Sequence, residues 1–355
     1  MNRFEVIRTQ FEQNGIDALL VESPTNRRYL TDFTGTAGAV LLTSEDAFFI
    51  TDFRYVEQAK SQCEGFKVVQ HGGAMSAEIK KILDSHNVKS LGFEKAYTSF
   101  QTYQLYQETF DAELVPVAGI VENLRLFKSE SELKTIKKAS EIADAAFSHI
   151  LTYIKAGVRE REVAHELEFF MREQGAESSS FDIIVASGER GARPHGVASD
   201  KKIEKGDLIT MDFGAYYKGY CSDITRTVAL GEPSEELRHI YDTVLSAQLK
   251  AVEQIKAGMT GIEADEIARE MINGKGYEGH FGHGLGHGLG MEVHEEPRLS
   301  PKGNLVLEPG MVVTVEPGVY IPGKGGVRIE DDIVITEDGN ERLTTSDKDL
   351  KIIEA

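Results

Sequence analysis

Four carboxylates stand where strand-forming sequence would not ordinarily put them. Asp212 lies in Leu208-Ile209-Thr210-Met211-Asp212-Phe213-Gly214-Ala215 and Asp223 in Tyr220-Cys221-Ser222-Asp223-Ile224-Thr225, almost equidistant from a turn around Tyr217-Lys218-Gly219. Antiparallel pairing would bring them close to opposite one another. Aspartate is a poor strand residue, and like charges facing across a strand pair are destabilising. A cation between them resolves the conflict. The pattern recurs with Glu316 in Val312-Val313-Thr314-Val315-Glu316-Pro317-Gly318 and Glu330 in Val327-Arg328-Ile329-Glu330, joined by the turn residues Pro322-Gly323-Lys324-Gly325-Gly326. Alternation along the strand puts Arg328 on the face of Glu330, where it could orient that carboxylate. The plainer reading, an Arg328–Glu330 surface pair, is disfavoured by the Val and Ile on either side.

Histidines supply the nitrogen donors. Four of the ten fall in His280-Phe281-Gly282-His283-Gly284-Leu285-Gly286-His287-Gly288-Leu289-Gly290-Met291-Glu292-Val293-His294. So many glycines exclude a helix, so His283 and His287 are not the helical His-x-x-x-His pair of zinc proteases. A looped or extended backbone is expected, with the imidazoles as its functional groups. His195, in Arg193-Pro194-His195-Gly196, stands on a turn-like segment and is by itself as consistent with a surface residue.

Four buried carboxylates would push one another's pKa values upward, whereas two divalent cations would balance their charge. Oxygen-rich ligation with one imidazole favours Mn, Co, Fe or a similar ion over a thiolate-type zinc site; Mn is placed first, with Zn kept as an alternative. Two such ions close together lower the pKa of a shared water and ready it as a nucleophile near neutral pH. That is hydrolase chemistry.

These residues need a scaffold. The capping-box sequence Ser129-Glu130-Ser131-Glu132 predicts a long helix, with Leu133, Ile136, Ala139, Ile142, Ala146 and Ile150 at helical spacing. A domain boundary is placed just before it, giving residues 1–125 and 126–355. In the first, Asp17–Val21, Ala39–Leu42 and Ala47–Ile50 read as strands, and Ser76–Leu83 and Phe100–Phe110 as helices, an α/β unit with its own core. In the second, helices near 130–154 and 160–174 precede the first hairpin, and helices near 234–256 and 261–273 precede the second. This predicts an α+β domain of two similar halves, each offering a hairpin to a shared centre.

Composition narrows the partners. The chain has 355 residues, 58 acidic and 39 basic, for a formal charge of -19, which repels nucleic acid and acidic membrane surfaces at long range. The N-terminus Met1-Asn2-Arg3-Phe4-Glu5-Val6 mixes charge with apolar residues and does not read as a secretory signal, and no membrane-spanning run is present. With only Cys63 and Cys221, reduced thiols in the cytoplasm are the simplest expectation.

The catalytic half resembles the pita-bread peptidases that include aminopeptidase P, prolidase and methionine aminopeptidase. The stretches that carry the resemblance are Met211–Ala215, Tyr220–Thr227, Gly282–Gly290, Val293-His294-Glu295, Val315–Gly318 and Val327–Asp331. The leading half is similar to the N-terminal, creatinase-like domain of aminopeptidase P and prolidase, through Tyr29–Gly35 and Thr51–Tyr55. The expected fold is therefore an α/β N-terminal domain followed by an α+β pita-bread (creatinase/aminopeptidase-like) catalytic domain. By position, the resemblance implies that Asp223 and Glu330 bridge two metals, with His287 and Glu316 completing one site and Asp212 the other. It implies that Glu316 acts as general base, that His294 stabilises the tetrahedral intermediate, and that His195 and His283 surround the proline end of the substrate. Tyr320 and Arg328 would support or relay, and Arg298 would grip a dipeptide carboxylate, a solvated loop charge being its alternative. The implied activity is hydrolysis of the Xaa-Pro bond in short peptides, as a dipeptidase or, alternatively, as an aminopeptidase on longer ones, in a homodimer. A binding protein that has given up catalysis and a creatine hydrolase are the readings from other classes; both usually go with lost metal ligands, and here all five are in place.

Overall fold

The computed structural model describes residues 3–355; Met1 and Asn2, which open the charged N-terminal stretch, lie outside the described residues. The chain divides into one compact unit ending at Arg125 and a second beginning at Leu126.

The first unit is built on a six-stranded mixed sheet in the order β4-β3-β2-β1-β5-β6, with β1 Ala18–Val21, β2 Ala39–Thr43, β3 Ala47–Thr51, β4 Lys67–Gln70, β5 Ser90–Glu94 and β6 Glu113–Val117. Every residue of β1, β2 and β3 is buried, which matches their uninterrupted apolar runs and the cover on both faces. The helices Met75–Ser85 and Phe100–Thr109 contribute Ile79, Ile82, Leu83 and Tyr106 to the core on one side.

The second unit begins with the helix Glu130–Tyr153, whose N-terminus carries the capping box read from Ser129 and Glu132. It packs with the helix Glu160–Glu173 over Val185, Ile209, Met211, Phe213 and Val228. The strands beneath are β7 Ser178–Ser179, β8 Ile184–Ser187, β9 Leu208–Phe213, β10 Ala215–Tyr217, β11 Tyr220–Cys221 and β12 Ile224–Leu230. In the second half the helices Glu235–Gln254 and Gly261–Ile272 cover Val313, Val315, Val327 and Ile333. Its strands are β13 Gly286–Gly288, β14 Glu295–Leu299, β15 Val312–Val315, β16 Gly318–Ile321, β17 Gly325–Arg328 and β18 Asp331–Ile335.

Two features of these sheets position the polar residues. The first hairpin steps sideways at Gly214, where a Cβ would lie 1.8 Å from the Ser222 carbonyl oxygen, so only glycine lets the strands cross there. The second hairpin is cut into two ladders, Val312–Val315 with Asp331–Val334 and Gly318–Ile321 with Gly325–Arg328. Glu316, Pro317, Ile329 and Glu330 occupy the gap. The glycine-rich run forms β13 between β14 and β15, where a Cβ on Gly286 would lie 2.0 Å from the Thr314 carbonyl oxygen.

Candidate metal centre and substrate cavity

The breaks in the hairpins are what bring the carboxylates together. Asp212 sits opposite Thr225 in the β9–β12 ladder, so Asp223 lies just past the ladder's end rather than across from Asp212. In the second hairpin, the Glu330 amide is free of its own ladder and donates to the Thr225 carbonyl at 3.1 Å, and the Glu316 amide donates to Leu285 at 2.8 Å. The first of these bonds stitches one half of the domain to the other beside the acidic cluster; the second ties Glu316 to the glycine-rich run of its own half.

Asp223, His287 and Glu330, all buried, offer ligand atoms within 4.8 Å of one another. His287 Nε2 lies 3.3 Å from Glu316 Oε1 and 3.8 Å from Asp223 Oδ2. Its ring is set by a contact from Nδ1 to the Gly288 carbonyl at 3.1 Å, which leaves Nε2 facing the carboxylates. Burial, and then the His294 charge, hold His287 down at about 3, so it is a neutral imidazole able to ligate.

The carboxylates behave as a cluster short of positive charge. Burial raises Asp223 well above the usual range, with Glu330 and Asp212 adding to the effect. Glu330 is raised by burial and then by Glu316 and Asp212. Glu316 is pushed up to about 8, chiefly by burial against an opposing Arg328. Buried Asp212 Oδ1 and Asp223 Oδ1 have no hydrogen-bond partner among the described residues, and a buried acceptor with nothing to accept is expensive. This donor set of four carboxylates and one neutral imidazole, with two orphaned oxygens, fits divalent cations.

Arg328 is wired into this cluster, and its direct carboxylate partner is Asp212 rather than Glu330. Its Nη2 donates to Asp212 Oδ2 at 2.5 Å, its Nη1 to Tyr320 Oη at 2.9 Å and its Nε to Thr225 Oγ1 at 3.1 Å. Glu330 is reached through Thr225, whose hydroxyl lies 2.5 Å from Glu330 Oε2. Because that hydroxyl accepts from Arg328, its single proton must go to Glu330. Behind the site, Arg226 donates to the Glu330 carbonyl and to Asp331 Oδ1, and Asp332 Oδ2 accepts the Asp223 amide at 2.9 Å.

A cavity of about 450 Å3 opens on this cluster. Asp212, Asp223, His287, Glu316 and Glu330 line its floor, and His195, His283, His294 and Arg298 its walls. His283 Nε2 meets Tyr320 Oη at 2.8 Å, and burial holds this imidazole at about 4. His294 stacks edge-on against His287 with ring centroids 4.4 Å apart. Arg298, in register with His287 across β13 and β14, is exposed and forms no ion pair among the described residues.

The structure adds residues that the motif reading passed over. Phe181, Ile184, Pro194, Val197 and Val293 give the cavity an apolar wall, and Asp182 stands on it as well. Phe181 and Asp182 precede β8 in a segment with no distinctive sequence signal. Thr225 could have been found, since alternation places it on the same face as Asp223.

Comparison with known proteins follows the same division. The profile of the creatinase/prolidase N-terminal domain matches residues 3–127, and that of metallopeptidase family M24 matches residues 134–337. The Xaa-Pro dipeptidase of Pyrococcus horikoshii is 45% identical over 345 residues, covering 96% of this chain and 95% of that protein. Among solved structures, the Xaa-Pro dipeptidase from Bacillus anthracis is 57% identical with a TM-score of 0.98, covering 99% of each chain. An X-Pro aminopeptidase from Thermotoga maritima is 41% identical with a TM-score of 0.92, covering 97% of this chain and 100% of that one. With the pita-bread arrangement and a leading creatinase/prolidase-type domain both in place, the chain belongs to metallopeptidase family M24.

Proposed function

We propose that this metallopeptidase cleaves the Xaa-Pro bond of dipeptides, using two divalent ions held by Asp212, Asp223, His287, Glu316 and Glu330. The observation that carries the reading is the convergence of these side chains with two buried oxygens left without partners. Asp223 and Glu330 would bridge the ions, His287 and Glu316 would complete one site, and Asp212 the other. When bound, the ions balance the carboxylate charge and lower the pKa of a shared water toward neutrality.

Glu316 takes the proton of the attacking water as general base, its second oxygen steadied by the Thr314 hydroxyl at 3.3 Å. His294 donates a hydrogen bond to the oxyanion that develops on the scissile carbonyl. His195 and His283, with the apolar wall, enclose the proline ring, and Tyr320 with Arg328 keeps His283 and Asp212 in place. Arg298, an exposed guanidinium in the cavity wall with no carboxylate partner among the described residues, is suited to the free carboxylate of a dipeptide. The likeness to the Thermotoga X-Pro aminopeptidase favours the second reading, action on longer peptides.

A side-by-side assay of Xaa-Pro and Xaa-Pro-Yaa substrates with added manganese tests the choice. The expected result is a higher kcat/KM for the dipeptide, reduced about ten- to a hundredfold in Arg298→Leu; a preference for the longer peptide overturns it. Manganese is proposed because the donor set is rich in oxygen; metal analysis of protein as isolated tests it. The two free, buried cysteines support a reducing, cytoplasmic setting. None of the described helices is long and apolar enough to cross a membrane. A homodimer is proposed from the family resemblance, with light scattering as the check.

A further inference from the structure

The cavity wall that carries Pro194, His195 and Val197 belongs to a segment running from Ser187 to Ser199. It leaves β8, makes the short 3-10 turn Gly188–Ala192, and returns to pair Val197 with Ile184 through a single isolated bridge. His195 and Val197 are themselves exposed. Such a segment has little apolar burial to fix it, and loops of this kind open locally unless something ties them down.

Hydrogen bonds from both ends of this segment and from its turn converge on one carboxylate. Glu160, the first residue of the helix Glu160–Glu173, is 0% exposed. Its Oε1 accepts from the Ser187 amide at 2.8 Å and the Ser187 hydroxyl at 2.9 Å. Its Oε2 accepts from the Ser199 amide at 3.1 Å and the Ser199 hydroxyl at 2.7 Å, and also from Arg190 Nη1. One side chain thus gathers donors from the start, the middle and the end of the loop. Arg190 carries the tie onward, because its Nη2 donates to the Val197 carbonyl at 2.8 Å. At the tip, the Pro194 carbonyl accepts from Arg328 Nη1 at 3.2 Å, and Arg328 also holds Asp212. The loop is therefore gauged against the metal centre at one point and anchored to the helix at the other.

A fully buried carboxylate is costly to desolvate, and it is tolerated when several charge-assisted donors meet it. We propose that Glu160 is a positioning residue for substrate binding: through Ser187, Arg190 and Ser199 it fixes Pro194, His195 and Val197 at the cavity wall. It sets the affinity for the proline end of the peptide without touching the metal centre. This rests on the reading of His195 as a substrate contact.

Glu160→Gln tests it, because the amide keeps the volume while turning one acceptor into a donor that faces other donors. The expected result is a KM for an Xaa-Pro dipeptide about ten- to a hundredfold higher with kcat within about threefold of the parent. Metal content should be unchanged, and amide hydrogen exchange should be faster over residues 188–197. In a His195→Ala background the same substitution should raise KM by less than in the parent, since one of the contacts it positions is already gone. Unchanged KM, an equal KM increment in both backgrounds, or loss of bound metal overturns the proposal. Arg190→Lys keeps the charge but loses the reach to Val197; it should give a smaller KM increase with the same split, and unchanged KM there counts against the anchor even if Glu160→Gln does not fold. Failure of the functional reading is separate: the parent protein then cleaves no Xaa-Pro peptide, while unaltered loop exchange in the variant would overturn the anchor on its own.

Discussion

In the hairpin that bears Asp212 and Asp223, β9 and β12 pair without interruption from Leu208–Ala229 to Phe213–Ile224, and both aspartates stand at the end of that ladder. In the hairpin that bears Glu316 and Glu330, the ladder stops at Val315–Asp331 and restarts at Gly318–Arg328. The first hairpin is a frame in its own right. The second holds its glutamates in a gap, and the atoms that fix Glu330 come from the first: the Thr225 carbonyl, the Thr225 hydroxyl and Arg226. In return, the second hairpin sends across Arg328, which bonds Asp212 and Thr225. A carboxylate cluster built from two strand pairs thus depends on cross-bracing, and the bracing is heavier in one direction.

The comparison breaks most severely if a carboxylate from either hairpin is removed. Asp223→Asn and Glu330→Gln should each lower activity by roughly 10³-fold or more, and metal per chain should fall in step; near-normal metal content in either variant would sink the shared centre. Next in size is the brace behind it. Arg226 and Asp331 are buried together, and Arg226 with Lys348 holds Asp331 well below the usual carboxylate range despite its burial. Arg226→Met should therefore cost about 3 kcal/mol in denaturant unfolding of chelated protein, since Asp331 keeps Lys348 but loses its other main partner.

Thr225→Val removes the hydroxyl from Glu330 while keeping the shape. It should weaken metal binding about 10- to 100-fold in a competition titration, with Thr225→Ser close to the parent. The counterpart in the second hairpin is Thr314, whose hydroxyl is 3.3 Å from Glu316 and also accepts the His287 amide at 3.1 Å. Thr314→Val should cost about 1 kcal/mol of stability and only a few-fold in metal affinity. If the two valine variants lose metal equally, the asymmetry between the hairpins is wrong.

Much of this was legible beforehand, for identifiable reasons. Apolar alternation around misplaced acids marks Asp212, Asp223, Glu316 and Glu330, because charge inside a strand needs a compensating partner. The capping box at Ser129 and Glu132 marks the start of its helix because it is a local device, satisfied within one turn. Alternation alone makes Arg328 a partner of Glu330. The gap at Ile329 and Glu330 breaks that alternation and sends the guanidinium to Asp212. Phe181, Asp182 and Glu160 carried no signal, because their part depends on which loop closes over which strand.

The amino-acid order by itself determined the inventory: four acids and an imidazole set in strand and glycine-rich segments, the helix starts, and the family to which they belong. These depend on side-chain chemistry and on spacings of a few residues, which the chain carries wherever it goes. Which carboxylate each guanidinium meets, that Thr225 must give its proton to Glu330, and that one glutamate at a helix start fastens the loop of His195 were decided only by the tertiary structure. Those pairings join residues 27 to 134 positions apart, where folding alone sets the distance.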